Sequence, residues 1–199
     1  MASTQIDIWN QALSNIGSKV FIQNPNERSV EASVLAIWWK SAVEFVLAAH
    51  PWPFATAYQL LAPLDDNPTG GDWLYVYRYP SDCIHARRLV TKAGRRDPNP
   101  PPFKIGSDNE GRVIYTDQEN ALLEYTKEVT EPERFDPNFV DCLAWYLGHK
   151  AAPSVSRMPN MTDFALKQYK VALTNAADKA MNESQQDDPQ EAENIRARD

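Results

Sequence analysis

Residues 24–54 read NPNERSVEASVLAIWWKSAVEFVLAAHPWPF. Their spacing predicts one long amphipathic helix with an abrupt end. Asn24 has the chemistry of an N-cap, Pro25 suits the first helical position, and Glu27 stands where a capping-box partner belongs. Val34, Leu35, Trp38, Ala42, Phe45, Val46 and Ala49 then recur at helical spacing as the expected buried face. Pro51 and Pro53 push His50 and Trp52 into extended backbone, so the chain leaves the helix at His50. Each large side chain buried on this face stabilises the fold by about 1.5–3 kcal/mol. A helix with this much aromatic bulk needs other helices against it.

Working outward, residues 4–17 read as a first helix. Ser3 or Thr4 caps it, Ile8, Trp9, Ala12, Leu13 and Ile16 form its apolar stripe, and Gly17 suits its exit. Val20-Phe21-Ile22 in the short connection is expected to tuck into the core. Beyond Pro53 the period changes. Trp73, Tyr75, Tyr77 and Tyr79 alternate with Leu74, Val76 and Arg78, which predicts a strand with four aromatics on one face. Residues 54–64 and 83–92 read as strands on either side, with turn chemistry at Pro80-Ser81-Asp82. Residues 65–72 and 93–102 are loops, the second ending in Pro100-Pro101-Pro102. Asp108-Asn109-Glu110-Gly111 predicts a hairpin between 103–105 and 113–115, with Gly111 supplying positive φ. Leu123, Tyr125, Lys127 and Val129 alternate along a last strand.

Helical spacing then returns. Asp136 and Pro137 open a third helix with Phe139, Val140, Leu143, Tyr146 and Leu147 on its apolar face, expected to end before Pro153. Asn160 or Thr162 opens a fourth, with Phe164, Tyr169, Ala172, Leu173 and Ala176 on one side. Segment 183–199 holds six acidic and two basic residues and reads as a solvated tail that orders on a partner. The fold class that follows is α+β. A four-helix bundle is built from segments 1–53 and 133–184, a mostly antiparallel β domain is inserted at 54–132, and 185–199 is an acidic flexible tail.

Composition narrows the function. Of 199 residues 43% are hydrophobic, enough for a substantial core, and the formal net charge is −7. A chain this acidic is poorly suited to holding nucleic acid by its phosphates. It is compatible with lining a channel through which DNA slides without sticking. The stretch Met-Ala-Ser-Thr-Gln lacks the pattern of a signal peptide, and no run approaches the roughly 18 uninterrupted apolar residues of a membrane span. Cys83 and Cys142 make no disulfide framework, so synthesis in a reducing compartment is expected.

The titratable residues make no convincing catalytic or metal constellation. Cys83 and His85 alternate on a strand, and Cys142 and His149 lie seven apart on a helix, but no second close pair completes zinc spacing. Buried thiols and surface imidazoles are the simpler reading. G-x-S-x-G, H-E-x-x-H and P-loop patterns are absent from the sequence, so no catalytic, cofactor or metal residue is assigned. The Trp73–Tyr79 rings read as core before they read as a stacking platform. Arg87, Arg88, Arg95 and Arg96 are candidates for contacts with a neighbouring subunit's carboxylates.

Four segments in order resemble one family. They are AAHPWPFA at 48–55, YVYRYPSDC at 75–83, EGRVIYTD at 110–117, and LEYT at 123–126 running to FDPNF at 135–139. Together they are similar to the tail tubular protein A, or head-to-tail adaptor (connector), of short-tailed phages. The likeness covers residues 5–182. It implies a helical bundle with an inserted β domain. It also implies a virion protein that forms a ring, of about twelve copies, between the portal ring and the tail nozzle protein. DNA would pass through its channel without specific binding. No cofactor, catalytic residue or membrane is implied, and synthesis would take place in the host cytoplasm. The acidic tail, with Asp187, Asp188, Glu191, Glu193 and Ile195, is the candidate portal contact. The alternatives are another neck or tail completion protein, or a carbohydrate-binding virion module using the Trp73–Tyr79 rings.

Overall fold

The computed structural model describes residues 3–65, 67, 71–91, 99–156 and 158–185. The fold is α+β, with four helices and two small antiparallel sheets. Helix α1 spans Gln5–Asn15. Thr4 caps it in a reciprocal box: its Oγ1 accepts from Asp7 N at 3.2 Å, and its N–H donates to Asp7 Oδ2 at 2.9 Å. Gly17, at φ 74°, turns the chain out, and Ser18 N–H donates back to Leu13 O at 3.0 Å. Of the next residues only Ile22 enters the core, while Val20 and Phe21 stay exposed. Asn10 decides this by clamping the Ile22 backbone, accepting its N–H at 2.7 Å and donating to its carbonyl at 2.9 Å.

Helix α2 spans Val30–Ala49, starting later than the proline at 25 predicts. Asn24 is occupied in its own turn, where Oδ1 accepts from Asn26 N. Glu27 takes the Ser29 hydroxyl at 2.6 Å. Ser29, thus oriented, caps the helix by accepting from Ala32 N at 3.2 Å. The far end is as expected. His50 is extended, and Trp52 folds back to donate its indole N–H to Val46 O at 2.8 Å.

A single 3-10 turn at Pro53–Ala55 leads into six strands. These are β1 Thr56–Leu60, β2 Tyr75–Arg78, β3 Cys83–Val90, β4 Phe103–Asp108, β5 Gly111–Thr116 and β6 Leu122–Lys127. One sheet has the order β1-β6-β3 and the other β2-β5-β4, all antiparallel. Thus β2 and β3, joined through Pro80-Ser81-Asp82, lie in different sheets. The chain after β1 crosses between the sheets. Leu61 N–H still donates to Ala121 O, whereas Ala62 O accepts from Arg78 N and Leu64 N–H donates to Val76 O, each at 2.9 Å. The 108–111 hairpin forms as expected, with Gly111 at φ 140°. The four-aromatic stripe does not. Tyr75, Tyr77 and Tyr79 pack with Leu89, Ile114 and Leu123, while Trp73 packs with Val76, Val113 and Tyr115. Trp73 precedes the strand, so the two-residue alternation does not reach it.

Helix α3 spans Pro137–Val155, capped by Asp136, whose Oδ1 accepts from Asn138 N at 2.7 Å. It runs through Pro153 instead of ending before it. The proline is exposed and in the last turn of the helix. Helix α4 spans Met161–Gln185. Helices α1, α2 and α4 all pack on α3, which makes α3 the centre of the bundle. Gly148 allows the closest approach: a Cβ there would meet Ile16 Cγ2 at 3.0 Å and Ala12 O at 3.2 Å. The helical core also takes in Ala55, Val129 and Phe135 from the chain entering and leaving the strands. Trp52, Phe54 and Phe135 surround Phe139 with ring centroids 4.7–5.2 Å away, and this aromatic group joins the bundle to the β module.

Candidate assembly surface

Helix α2 is apolar nearly all round, and the subunit covers only one side of it. Leu35, Ala42, Val46 and Leu47 are buried in the helical core. The expected buried face also included Trp38, Phe45 and Ala49, and these stand exposed. Ile37 is 74% exposed, Val30 62%, Phe45 48% and Trp38 38%. Val30, Val34, Ile37, Ser41, Glu44 and Ala48 follow the alternating four-three spacing of a coiled-coil seam, in which Val30, Ile37 and Ser41 are exposed, Glu44 and Ala48 half-buried, and Val34 packs against the subunit's own core. Sequence reasoning missed this second stripe, although a helix apolar on all sides signals two partners.

The aromatic edge of the stripe is held in place. Phe45 stacks on Tyr146 of α3, centroids 4.4 Å apart and planes 8° apart, and Tyr169 of α4 lies 6.2 Å from Phe45. Lys150 Nζ sits 5.0 Å over the Trp38 ring and 5.2 Å over Tyr146. On the other edge Lys40 and Glu44 pair at 3.7 Å beside a groove of about 270 Å³ lined by Trp39, Val43, Glu128, Val129 and Thr130. By length and mean hydropathy (1.4) α2 reaches the range of a membrane-spanning helix, although it has no uninterrupted apolar run. Lys40 and Glu44 lie along its middle and exposed side, where a bilayer core would penalise them and a protein partner would not.

The candidate arginines are placed differently from one another. Arg87 points at the bundle, where Nη2 donates to the carbonyls of Leu47 (3.2 Å), Ala48 (3.0 Å) and His50 (2.9 Å), and Nε to Thr126 Oγ1 (2.9 Å). It therefore caps the C-terminus of α2 within its own chain. Arg88 turns the other way and pairs with Glu124 at 2.7 Å on the neighbouring strand. Both guanidinium groups have hydrogen-bond partners inside the subunit. Arg95, Arg96 and the tail residues Asp187, Asp188, Glu191, Glu193 and Ile195 fall outside the described residues.

Other chemistry-bearing groups are absorbed by the fold. A cleft of about 520 Å³ on the second sheet is lined by Asp65, Asn67, Arg78, Asp108, Glu110 and Tyr115 among others. Its arginine is held at 2.9 Å by Asp108 and 2.8 Å by Glu110. That hydrogen bond from Arg78 holds the Asp108 carboxyl below its usual range. Burial pushes both thiols up, Cys142 to about 12. His149 Nδ1 lies 3.0 Å from Thr162 O, which ties α3 to the start of α4. Among the described residues, no three His, Cys, Asp or Glu side chains gather as metal ligands. Tyr77 and Tyr79 are buried, and Trp73 and Tyr75 are half-buried on different faces. The four rings therefore do not make one exposed platform.

Comparisons with known proteins find no family model that matches this chain and no curated protein that matches it.

Proposed function

We propose that this protein is a virion structural subunit, the head-to-tail adaptor of a short-tailed phage. It forms a ring of about twelve copies between the portal ring and the tail nozzle and extends the DNA channel. The observation that carries the reading is the outward face of α2. A subunit that exposes Val30, Ile37, Trp38 and Phe45 along one helix leaves apolar helix surface uncovered, as suits a lateral ring contact. The order of the AAHPWPFA, YVYRYPSDC and EGRVIYTD segments supports the same assignment. A formal net charge of −7 suits a wall that repels DNA. The role needs no catalytic residue, cofactor or membrane. The acidic segment 183–199 is assigned to the portal contact.

The test is mass by light scattering of the 22.5 kDa chain, alone and mixed with the cognate portal ring. The expected result is a free monomer that adds about a dozen copies to the ring. A chain that stays apart from the portal ring removes the adaptor reading and leaves the neck or glycan-binding roles. A variant lacking 183–199 that binds the ring as well as the full chain removes the tail assignment alone.

A further inference from the structure

We infer that the lateral contact is head-to-tail between two different helices, with the outward seam of α2 on one copy seated against the Phe164–Val171 flank of α4 on the next copy. This rests on the ring reading and adds to it the partner surface. A ring closes through two unlike patches on each subunit, so a single apolar face is half of what is needed.

The second patch is on α4. Phe164 is 46% exposed and Val171 50% exposed. They lie seven residues apart, on one side of the helix. That side is not the one next to α2. Tyr169 faces Phe45 of α2, and Phe164, five residues away, is rotated from it by about 140° around the helix. Phe164 rests instead against the edge of Trp145 of α3, with centroids 6.0 Å apart. The two patches therefore occupy different flanks of the bundle, as a head-to-tail contact demands.

Their patterns also match. Phe164, Gln168, Val171 and Asn175 repeat the four-three spacing of Val30, Val34, Ile37 and Ser41, which suits side-by-side helix packing. The charges around the two seams sum to opposite sign: Glu31 and Glu44 outnumber Lys40 on α2, and Lys167 and Lys170 outnumber Asp163 on α4. Glu31 stands beside Val30 and Val34 on α2, and Lys167 stands between Phe164 and Val171 on α4. Neither is in an ion pair among the described residues. The chain's own C-terminal segment is a poor cover for either seam, because residues 186–199 contain one large apolar side chain, Ile195, among five carboxylates.

The test loads full-length Ile37→Cys and Val171→Cys variants, singly, mixed or as the double variant, on the cognate portal ring, where the copies meet, and treats them with a bismaleimide of short flexible spacer. Cys83 and Cys142 are buried, so the unmodified chain serves as the uncross-linked control. Both substitutions are at exposed positions, and unchanged helix content by circular dichroism confirms folding. The expected result is a cross-linked dimer in the mixture of the two variants at several times the yield from either alone, and a ladder of higher species from the double variant. Equal cross-linking of Ile37→Cys with itself means that α2 meets α2 and overturns the inference. Absence of any cross-link overturns it as well. Portal loading by unmodified protein without these cross-links defeats the α2–α4 contact alone. Cross-links without portal loading keep the contact and defeat the adaptor reading.

Discussion

Arg87 donates from Nη2 to the carbonyl of His50 at 2.9 Å, and so a strand of the β module closes the end of the bundle's longest apolar helix. The same nitrogen reaches the Leu47 and Ala48 carbonyls, acceptors that the end of α2 would otherwise leave without helical partners, and shares the His50 carbonyl with the Trp52 N–H. The Arg87 side chain is half-buried, so water replaces these bonds poorly. Arg87→Ala should lower unfolding free energy by about 2–3 kcal/mol, measured by urea titration. Arg87→Lys should restore only part, because an ammonium cannot reproduce the planar fork. Full recovery by lysine would reduce Arg87 to a simple charge.

The same corner sets a pH dependence. Burial first, and then the Arg87 charge, lower the His50 imidazole below its ordinary 6.5. Burial and then Arg87 and Arg112 lower His85 likewise. Each ring is neutral in the folded chain at pH values where the unfolded chain already binds a proton. Their contribution to stability is fully present above pH 6.5 and is lost as pH falls through 6.5 toward the folded values. The urea midpoint should therefore drop on going below neutrality, before the carboxylates titrate. His50→Gln should flatten that slope. An unchanged slope in this variant would show that His50 is not a source of it.

Gly148 is set by distance to α1. Gly148→Val forces its branched side chain toward Ile16 and the Ala12 carbonyl, which at 3.0 and 3.2 Å already lie nearer to a Cβ than ordinary contact. Separation of α1 from α3 should cost about 1–3 kcal/mol, seen as a lower thermal midpoint. Gly148→Ala should cost less, because helix propensity offsets part of the crowding. A Val variant as stable as the parent would mean that α1 moves freely on α3.

Cys142 is fully buried on α3, and burial holds its thiol up to about 12. Iodoacetamide at pH 8 should leave it unmodified in the folded chain and label it only as the chain unfolds globally. Intact-mass readout as a function of urea should place labelling at the unfolding transition. Labelling well below the transition would reveal local opening between α3 and α4.

Ile37→Asp separates stability from assembly. Its side chain touches mostly solvent in the subunit, so the unfolding midpoint should shift by no more than about 0.5 kcal/mol. Copies loaded on the portal ring should fall sharply, counted by mass. Undiminished loading would take the outward face of α2 out of the assembly.

The order of elements was readable from residues 4–17, 24–54 and 136–176 because helical spacing and caps are local. Ile8, Trp9, Ala12, Leu13 and Ile16 are all buried as their spacing demands, and Phe139, Val140, Leu143, Tyr146 and Leu147 likewise. The 108–111 hairpin was readable from its glycine. Local chemistry was also where the start of α2 was misread, since Asn24 and Ser29 both carry capping oxygens and only Glu27, bonded to the Ser29 hydroxyl, distinguishes them. What tertiary structure alone decided was direction. Trp38 and Phe45 belong to the same apolar pattern as Leu35 and Val46, yet Leu35 and Val46 are fully buried while Trp38 and Phe45 lie partly exposed at the rim of the contact with α3, beside Lys150 and Tyr146. Arg87 and Arg88 are adjacent and alike in sequence, and strand alternation with a bulge between Ala86 and Arg88 sends one to the α2 carbonyls and the other to Glu124. Periodicity states which residues share a face; only packed neighbours, brought together across long loops, state what that face meets.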